Sequence, residues 1–306
     1  MQLMNTKIKE IFLKTSDEVE IAVNKYDTGH DEVLIIAHGW FMTKDSSYFR
    51  DMSEVFSKDY DVITMDFRGH GESGGYYTFT SKEPMDMKAV VDYAKTQYSK
   101  IYLMGFSLGG ALVLIHSAIE KDVDKVIAVS APHSFIKIEN QMWKKEAWSH
   151  SLRKFEFKRS ITIRPSLIIG EKIRPIDIVG KVEVPTLFIA GKKDATVRAW
   201  HSKSLFRVAK CKKQFELFEN CCHAEDLFFQ ERKKFVQLCT NWLSEKISIK
   251  KLNPFLSQVP PIELKNIIPI YAKSKKSLMT KLSLRSTFLG LFGLCLFCTL
   301  FHLVCR

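Results

Sequence analysis

Seven cysteines are scattered through a chain of 306 residues, with no disulfide framework of the kind that holds small secreted domains together. That usage suits a reducing compartment. Cys295 and Cys298 have C-x-x-C spacing, but Leu296 and Phe297 continue an apolar stretch without the turn that a metal or redox site needs. The chain also lacks a Gly-rich phosphate loop, a metal-ligand cluster and any nucleic-acid-binding module. Nucleotide-driven, metal-dependent and nucleic-acid-directed functions are therefore set aside. From Met1 to Lys7 there is no apolar signal-peptide core, so secretion by that route is not expected.

What is present centres on Gly105-Phe106-Ser107-Leu108-Gly109. An apolar run, Ile101 to Met104, precedes it, and Ala111 to Ile115 follows, which reads as strand, very tight turn and helix with a serine at the apex. The glycines suit a strained turn on which neighbouring backbone packs too closely for Cβ atoms. Such a turn exposes the Ser107 hydroxyl at the end of a sheet and aims the first N–H groups of the helix at whatever it attacks.

A neutral hydroxyl is a poor nucleophile, so a histidine must take its proton and a carboxylate must hold that histidine. The strand-like run Val184 to Ala190 leads into Gly191-Lys192-Lys193-Asp194, placing Asp194 just past a strand end. A later strand, Phe215 to Phe218, leads to Asn220-Cys221-Cys222-His223, with helix expected from about Ala224. Ser107, Asp194 and His223 are thus expected at one sheet edge. Val33 to Ala37 reads as a buried strand ending in His38-Gly39-Trp40-Phe41. The amide of Trp40, or that of Phe41, would complete an oxyanion hole with the amide of Leu108. His38 and His70 are read as turn supports, and Asp66 as a brace for the loop Arg68-Gly69-His70-Gly71.

With these motifs in order, the chain resembles the α/β-hydrolase superfamily over roughly residues 8–246. The resemblance is carried by His38-Gly39-Trp40, Asp66 to Gly74, the Ser107 turn, Gly191 to Asp194 and His223-Ala224-Glu225. Within the superfamily it looks like the serine aminopeptidase and monoacylglycerol-lipase-like branch. That resemblance implies an α/β fold with a mostly parallel central sheet, helices on both faces and a small lid insertion. It implies hydrolysis without a cofactor or metal. Cys221 and Cys222 depart from the branch's pattern, in which glycine or another small residue precedes the histidine.

The expected organisation is a hydrolase domain over 1–246 with a lid at about 132–180, a basic tether over 247–286, and a transmembrane helix over 287–304. The lid region holds Phe135, Met142, Trp143, Trp148, Phe155 and Phe157 among many basic residues. The tether carries Pro254, Pro260, Pro261 and Pro269. Residues 287–304 contain no Asp, Glu, Lys or Arg, and a helix of that length just spans a bilayer's hydrocarbon core. Lys273, Lys275, Lys276, Lys281 and Arg285 precede the stretch and only Arg306 follows, which orients the domain to the cytoplasm. The formal charge of +12 suits a domain held near anionic lipid better than one that binds nucleic acid.

The expected function is a membrane-tethered serine hydrolase acting on a small-molecule or lipid acyl ester or thioester. The alternatives are an aminopeptidase-type activity and a catalytically silent, membrane-anchored binding protein on the same fold. Oligomeric state is left open.

Overall fold

The structure, a computed structural model, describes residues 7–135, 156, 161–166 and 170–244. Strands β1 (Lys7–Lys14) and β2 (Glu20–Asp27) pair antiparallel through the tight turn between Thr15 and Val19. Next come β3 (Glu32–Ala37), β4 (Asp61–Met65), β5 (Lys100–Phe106), β6 (Lys125–Val129), β7 (Thr186–Gly191) and β8 (Lys213–Phe218), mutually parallel in the order β4-β3-β5-β6-β7-β8. β2 joins β4 to make one eight-stranded sheet. The sequence pattern predicts strand–helix alternation from Ile8 onward, whereas β1, β2 and β3 follow one another and alternation begins only at β3. The turn after β1 is too short for the crossover that a parallel neighbour requires.

Five longer helices cover the sheet: α1 (Ser47–Phe56), α2 (Glu83–Lys95), α3 (Leu108–Ile119), α4 (Trp200–Val208) and α5 (Arg232–Leu243). Met87, Val90, Val91 and Ala94 recur at helical spacing and predict a helix over Met85–Tyr98; it is α2, shifted toward the N-terminus, where Pro84 suits a first turn and Glu83 and Asp86 face the positive end of the helix dipole. Successive residues of each strand point to opposite faces, so the sheet feeds two cores. Val33, Ile35, Leu103 and Phe188 pack with Val90, Leu112 and Leu205 from α2, α3 and α4. Leu34, Ile36, Met104 and Ile189 pack with Phe56 and Phe235 from α1 and α5. Truncating one of these buried rings to alanine costs about 3–5 kcal/mol.

Because β3 to β8 are parallel, their C-terminal ends share one edge, and the loops that leave them meet there. α5 runs to the opposite edge, where the Lys125 ammonium donates to the carbonyls of Trp242 (3.0 Å) and Leu243 (2.7 Å). This satisfies the orphan acceptors of a helix C-terminus. The return limb of the 132–180 insertion is laced to the loop after β4. Thr162 Oγ1 accepts the Gly71 N–H (3.0 Å), and the backbone of Arg164 pairs with Gly69 and Tyr77. Phe135 packs partly buried against the core, whereas Met142, Trp143, Trp148, Phe155 and Phe157 lie outside the described residues. Among the described residues no helix is long and apolar enough to cross a membrane. The stretch 287–304, the segment 247–286 and Cys295 and Cys298 all lie outside them.

Candidate active site

β5 is buried along all but its first residue, and at its end the chain turns sharply into α3. Ser107 sits at that corner with φ 52° and ψ −110°, a conformation non-glycine residues avoid at a cost of about 1–3 kcal/mol. Its N–H donates to Val129 O (2.9 Å), and its own carbonyl accepts the Ala111 N–H (3.1 Å). Gly109 shows why this corner tolerates no side chain. A Cβ there would run into the carbonyls of Ala37 and His38, because α3 is pressed against the end of β3. The Leu108 N–H, in the first turn of α3, has no acceptor among the described residues.

The loop after β3 is held from within. His38 Nδ1 donates to Gly39 O (2.7 Å), while His38 Nε2 accepts the Phe67 N–H (3.2 Å). Burial pushes the His38 pKa down to about 4 against the Gly39 hydrogen bond, so the ring is neutral and this tautomer persists. Gly39 O and Trp40 N–H belong to one planar trans peptide and point in opposite directions. The bond that fixes the first therefore also aims the second. A Cβ on Gly39 would lie 3.4 Å from Ser107 Cβ, so this loop borders the serine. The Trp40 ring joins an aromatic wall with Phe41 (4.2 Å between centroids), Phe79 (5.7 Å) and Tyr77 (6.3 Å).

Asp194 and His223 meet although 29 residues separate them: His223 Nδ1 lies 2.6 Å from Asp194 Oδ2. The other carboxylate oxygen accepts the N–H groups of Thr196 (2.9 Å) and Val197 (2.8 Å), which leaves Oδ2 facing the imidazole. Asp194 is buried, while the His223 side chain keeps 13% of its exposure. The cysteines before His223 are accommodated because neither takes a positive φ; the left-handed residue is Ala224, after the histidine (φ 52°). A Cβ on Gly191 would collide with the carbonyls of Cys221 and Cys222, so the acid loop and the histidine loop are in direct backbone contact. Cys211, Cys221, Cys222 and Cys239 are free thiols.

Asp66 braces as expected, accepting the N–H groups of Lys44 (2.6 Å) and Glu72 (3.1 Å), and burial lifts its pKa to about 7. Sequence reasoning missed Lys44. Its buried ammonium sits among Glu10 (2.7 Å), Asp45 (2.6 Å) and Glu72 (2.9 Å). These are the three carboxylates among the described residues that cluster closely enough for a metal ion, and the lysine takes that place.

An α/β-hydrolase-fold family matches residues 32–149, which contain the loop after β3 and the Ser107 corner. That match and the likeness to solved structures show the α/β-hydrolase fold. It is 26% identical over 269 residues to the AB hydrolase superfamily protein YisY of Bacillus subtilis, covering 74% of this chain and 96% of that protein. It is also 26% identical over 125 residues to the pimeloyl-[acyl-carrier protein] methyl ester esterase of Xylella fastidiosa, spanning 41% of this chain and 44% of that enzyme. In fold it is similar to the Pyrococcus furiosus esterase Pf2001, with a TM-score of 0.67 and 22% identity over 79% of this chain and 93% of that one.

Proposed function

We propose that the protein is a serine-type carboxylic-ester hydrolase working through an acyl-enzyme. Ser107 attacks the carbonyl carbon, and His223, through the ring nitrogen opposite Asp194, takes the hydroxyl proton. Asp194 holds the ring and stabilises the imidazolium. The N–H groups of Leu108 and of Trp40 receive the tetrahedral oxyanion, each such donor contributing about 3–4 kcal/mol in comparable sites. His223 then protonates the leaving alcohol, and water releases the acyl group by the same route. The observation that carries this reading is the 2.6 Å His223–Asp194 pair at the rim that also holds the strained Ser107 corner. Esterase relatives support the ester as substrate class.

The apolar stretch 287–304 and its basic flank support a further part of the reading, a membrane anchor with the domain on the cytoplasmic side and a lipophilic acyl substrate. The test is turnover of short- and long-chain p-nitrophenyl esters by the full-length protein, beside aminoacyl amides at matched concentration. Ester turnover that disappears in Ser107→Ala is the expected outcome. Undiminished turnover in that variant overturns the mechanism, and faster amide cleavage transfers the assignment to a peptidase. Fractionation with membranes that persists after removal of residues 287–306 overturns the anchor.

A further inference from the structure

The end of β6 touches all three segments that supply the proposed catalytic groups, through two consecutive residues. Val129 O accepts the Ser107 N–H (2.9 Å), and the Ser130 N–H donates to Ile189 O (2.8 Å) in β7, the strand that leads to Asp194. The third contact belongs to a side chain: Ser130 Oγ accepts the Ala224 N–H (3.1 Å), from the residue directly after His223. Ser130 is fully buried, with 0% exposure, and takes φ 49° in the left-handed region. Ala224 is strained in the same way at φ 52°. Two adjacent loops thus hold conformations that favour glycine, and one hydroxyl joins them.

Such strain persists only where the surroundings over-determine it, and it concentrates at functional positions. Here the strained backbone of Ser130 turns its hydroxyl onto a buried amide that would otherwise lack an acceptor. That amide adjoins the histidine whose ring must keep both its distance to Asp194 and its direction toward Ser107.

We infer that Ser130 is a positioning residue for the base: its hydroxyl fixes the His223 loop against the strand that also anchors the nucleophile and the acid. This rests on the hydrolase reading and deepens it. Ser130 touches neither substrate nor reacting atoms, and acts only through the placement of the imidazole. Losing its bond frees the loop to shift while the Ser107 corner, the aromatic wall around Trp40 and the Asp194 turn stay in place. The expected signature is therefore a loss in kcat with little change in KM. Displacement of a reacting group by about 1 Å costs up to about a hundredfold in rate.

Two variants separate positioning from folding. Ser130→Ala removes the hydroxyl and leaves a side chain strained at positive φ. Ser130→Gly removes the hydroxyl and fits that backbone without strain. Each is compared with the parent for p-nitrophenyl butyrate kinetics, for the rate of fluorophosphonate labelling at Ser107 and for its melting temperature. The expected result is a fall of about 10- to 100-fold in kcat for both, KM within about threefold, and labelling slowed by the same factor. The glycine variant is expected to melt at least as high as the alanine one. A folded Ser130→Gly with the kcat and labelling rate of the parent overturns the inference, and so does a loss confined to KM. A parent that neither cleaves esters nor takes the probe overturns the hydrolase reading and this role with it, whereas an active parent beside an equally active glycine variant overturns this role alone.

Discussion

Two histidine–aspartate pairs of nearly equal length stand at opposite edges of the sheet. His223 Nδ1 lies 2.6 Å from Asp194 at the edge where the parallel strands end, and His116 Nε2 lies 2.8 Å from Asp122 where β6 begins. Distance does not distinguish them; surroundings do. The His223 side chain keeps 13% of its exposure and shares its edge with a serine on a strained corner. The His116 side chain is fully buried in the last turn of α3, and the neighbouring Ser117 spends its hydroxyl on Val113 O (2.7 Å). Asp122 also meets Lys95 (3.2 Å), so the second pair ties a helix end to the loop before β6. In the proposed mechanism, what sets the first pair apart is the serine corner at its edge of the sheet.

The sharpest break of this comparison is to disable each carboxylate in turn. Asp194→Asn is expected to lower kcat by about 10³- to 10⁴-fold, since the ring loses both its orienting acceptor and the charge that stabilises imidazolium. Asp122→Asn should leave ester turnover within about twofold; a comparable collapse there would erase the distinction. A smaller effect in a different quantity comes from His116→Gln. Urea unfolding should show a loss of about 1–3 kcal/mol, because a buried hydrogen-bonded pair is left incomplete, with kcat unchanged.

A third histidine sharpens the contrast through pH. Among the described residues the carboxylate beside His38 is Asp66, with Oδ1 4.0 Å away, and burial holds the His38 pKa at about 4 instead of the usual 6.5. The unfolded chain therefore binds a proton that the folded one refuses. This contribution is fully present above pH 6.5 and is lost as pH falls from 6.5 toward 4, by up to about 3 kcal/mol. Denaturant titrations of the parent and of His38→Gln should show that pH dependence in the parent and a flatter profile in the variant; identical slopes would refute it. Asp122 titrates lower: burial raises its pKa, but His116 and then Lys95 outweigh burial and hold it at about 2. Its stabilising contribution is present above about pH 3.8 and lost only as pH falls toward 2. The smallest expected change is in Cys222→Gly, where the backbone angle is ordinary. Kinetics should stay within about twofold and stability should fall by only about 0.5–1 kcal/mol.

Much of the candidate site was legible because its demands are local. Gly105 and Gly109 around Ser107 advertise a corner with no space for side chains, and strand patterns before Asp194 and His223 place both at strand ends. Cys221 and Cys222 fit before His223 for a reason invisible in sequence: the left-handed residue is Ala224. Lys44 among three carboxylates and Ser130 under Ala224 gave no signal at all. A lysine and a serine look ordinary until distant loops converge on them. Strand periodicity is the same in parallel and antiparallel pairs, so the β1–β2 hairpin reads in sequence as part of the alternating pattern, and only the short turn tells the two apart.

Hydrophobic period and close-packing glycines act over a few residues, and for that reason residue order alone determined the strands, the serine corner and which three side chains are candidates for chemistry. Which imidazole faces which carboxylate, which histidine stays neutral in the interior and which hydroxyl steadies the base loop were decided only by the folded sheet. Those outcomes depend on burial and on hydrogen bonds between segments up to 94 residues apart, such as Ser130 and Ala224, and no local propensity encodes them.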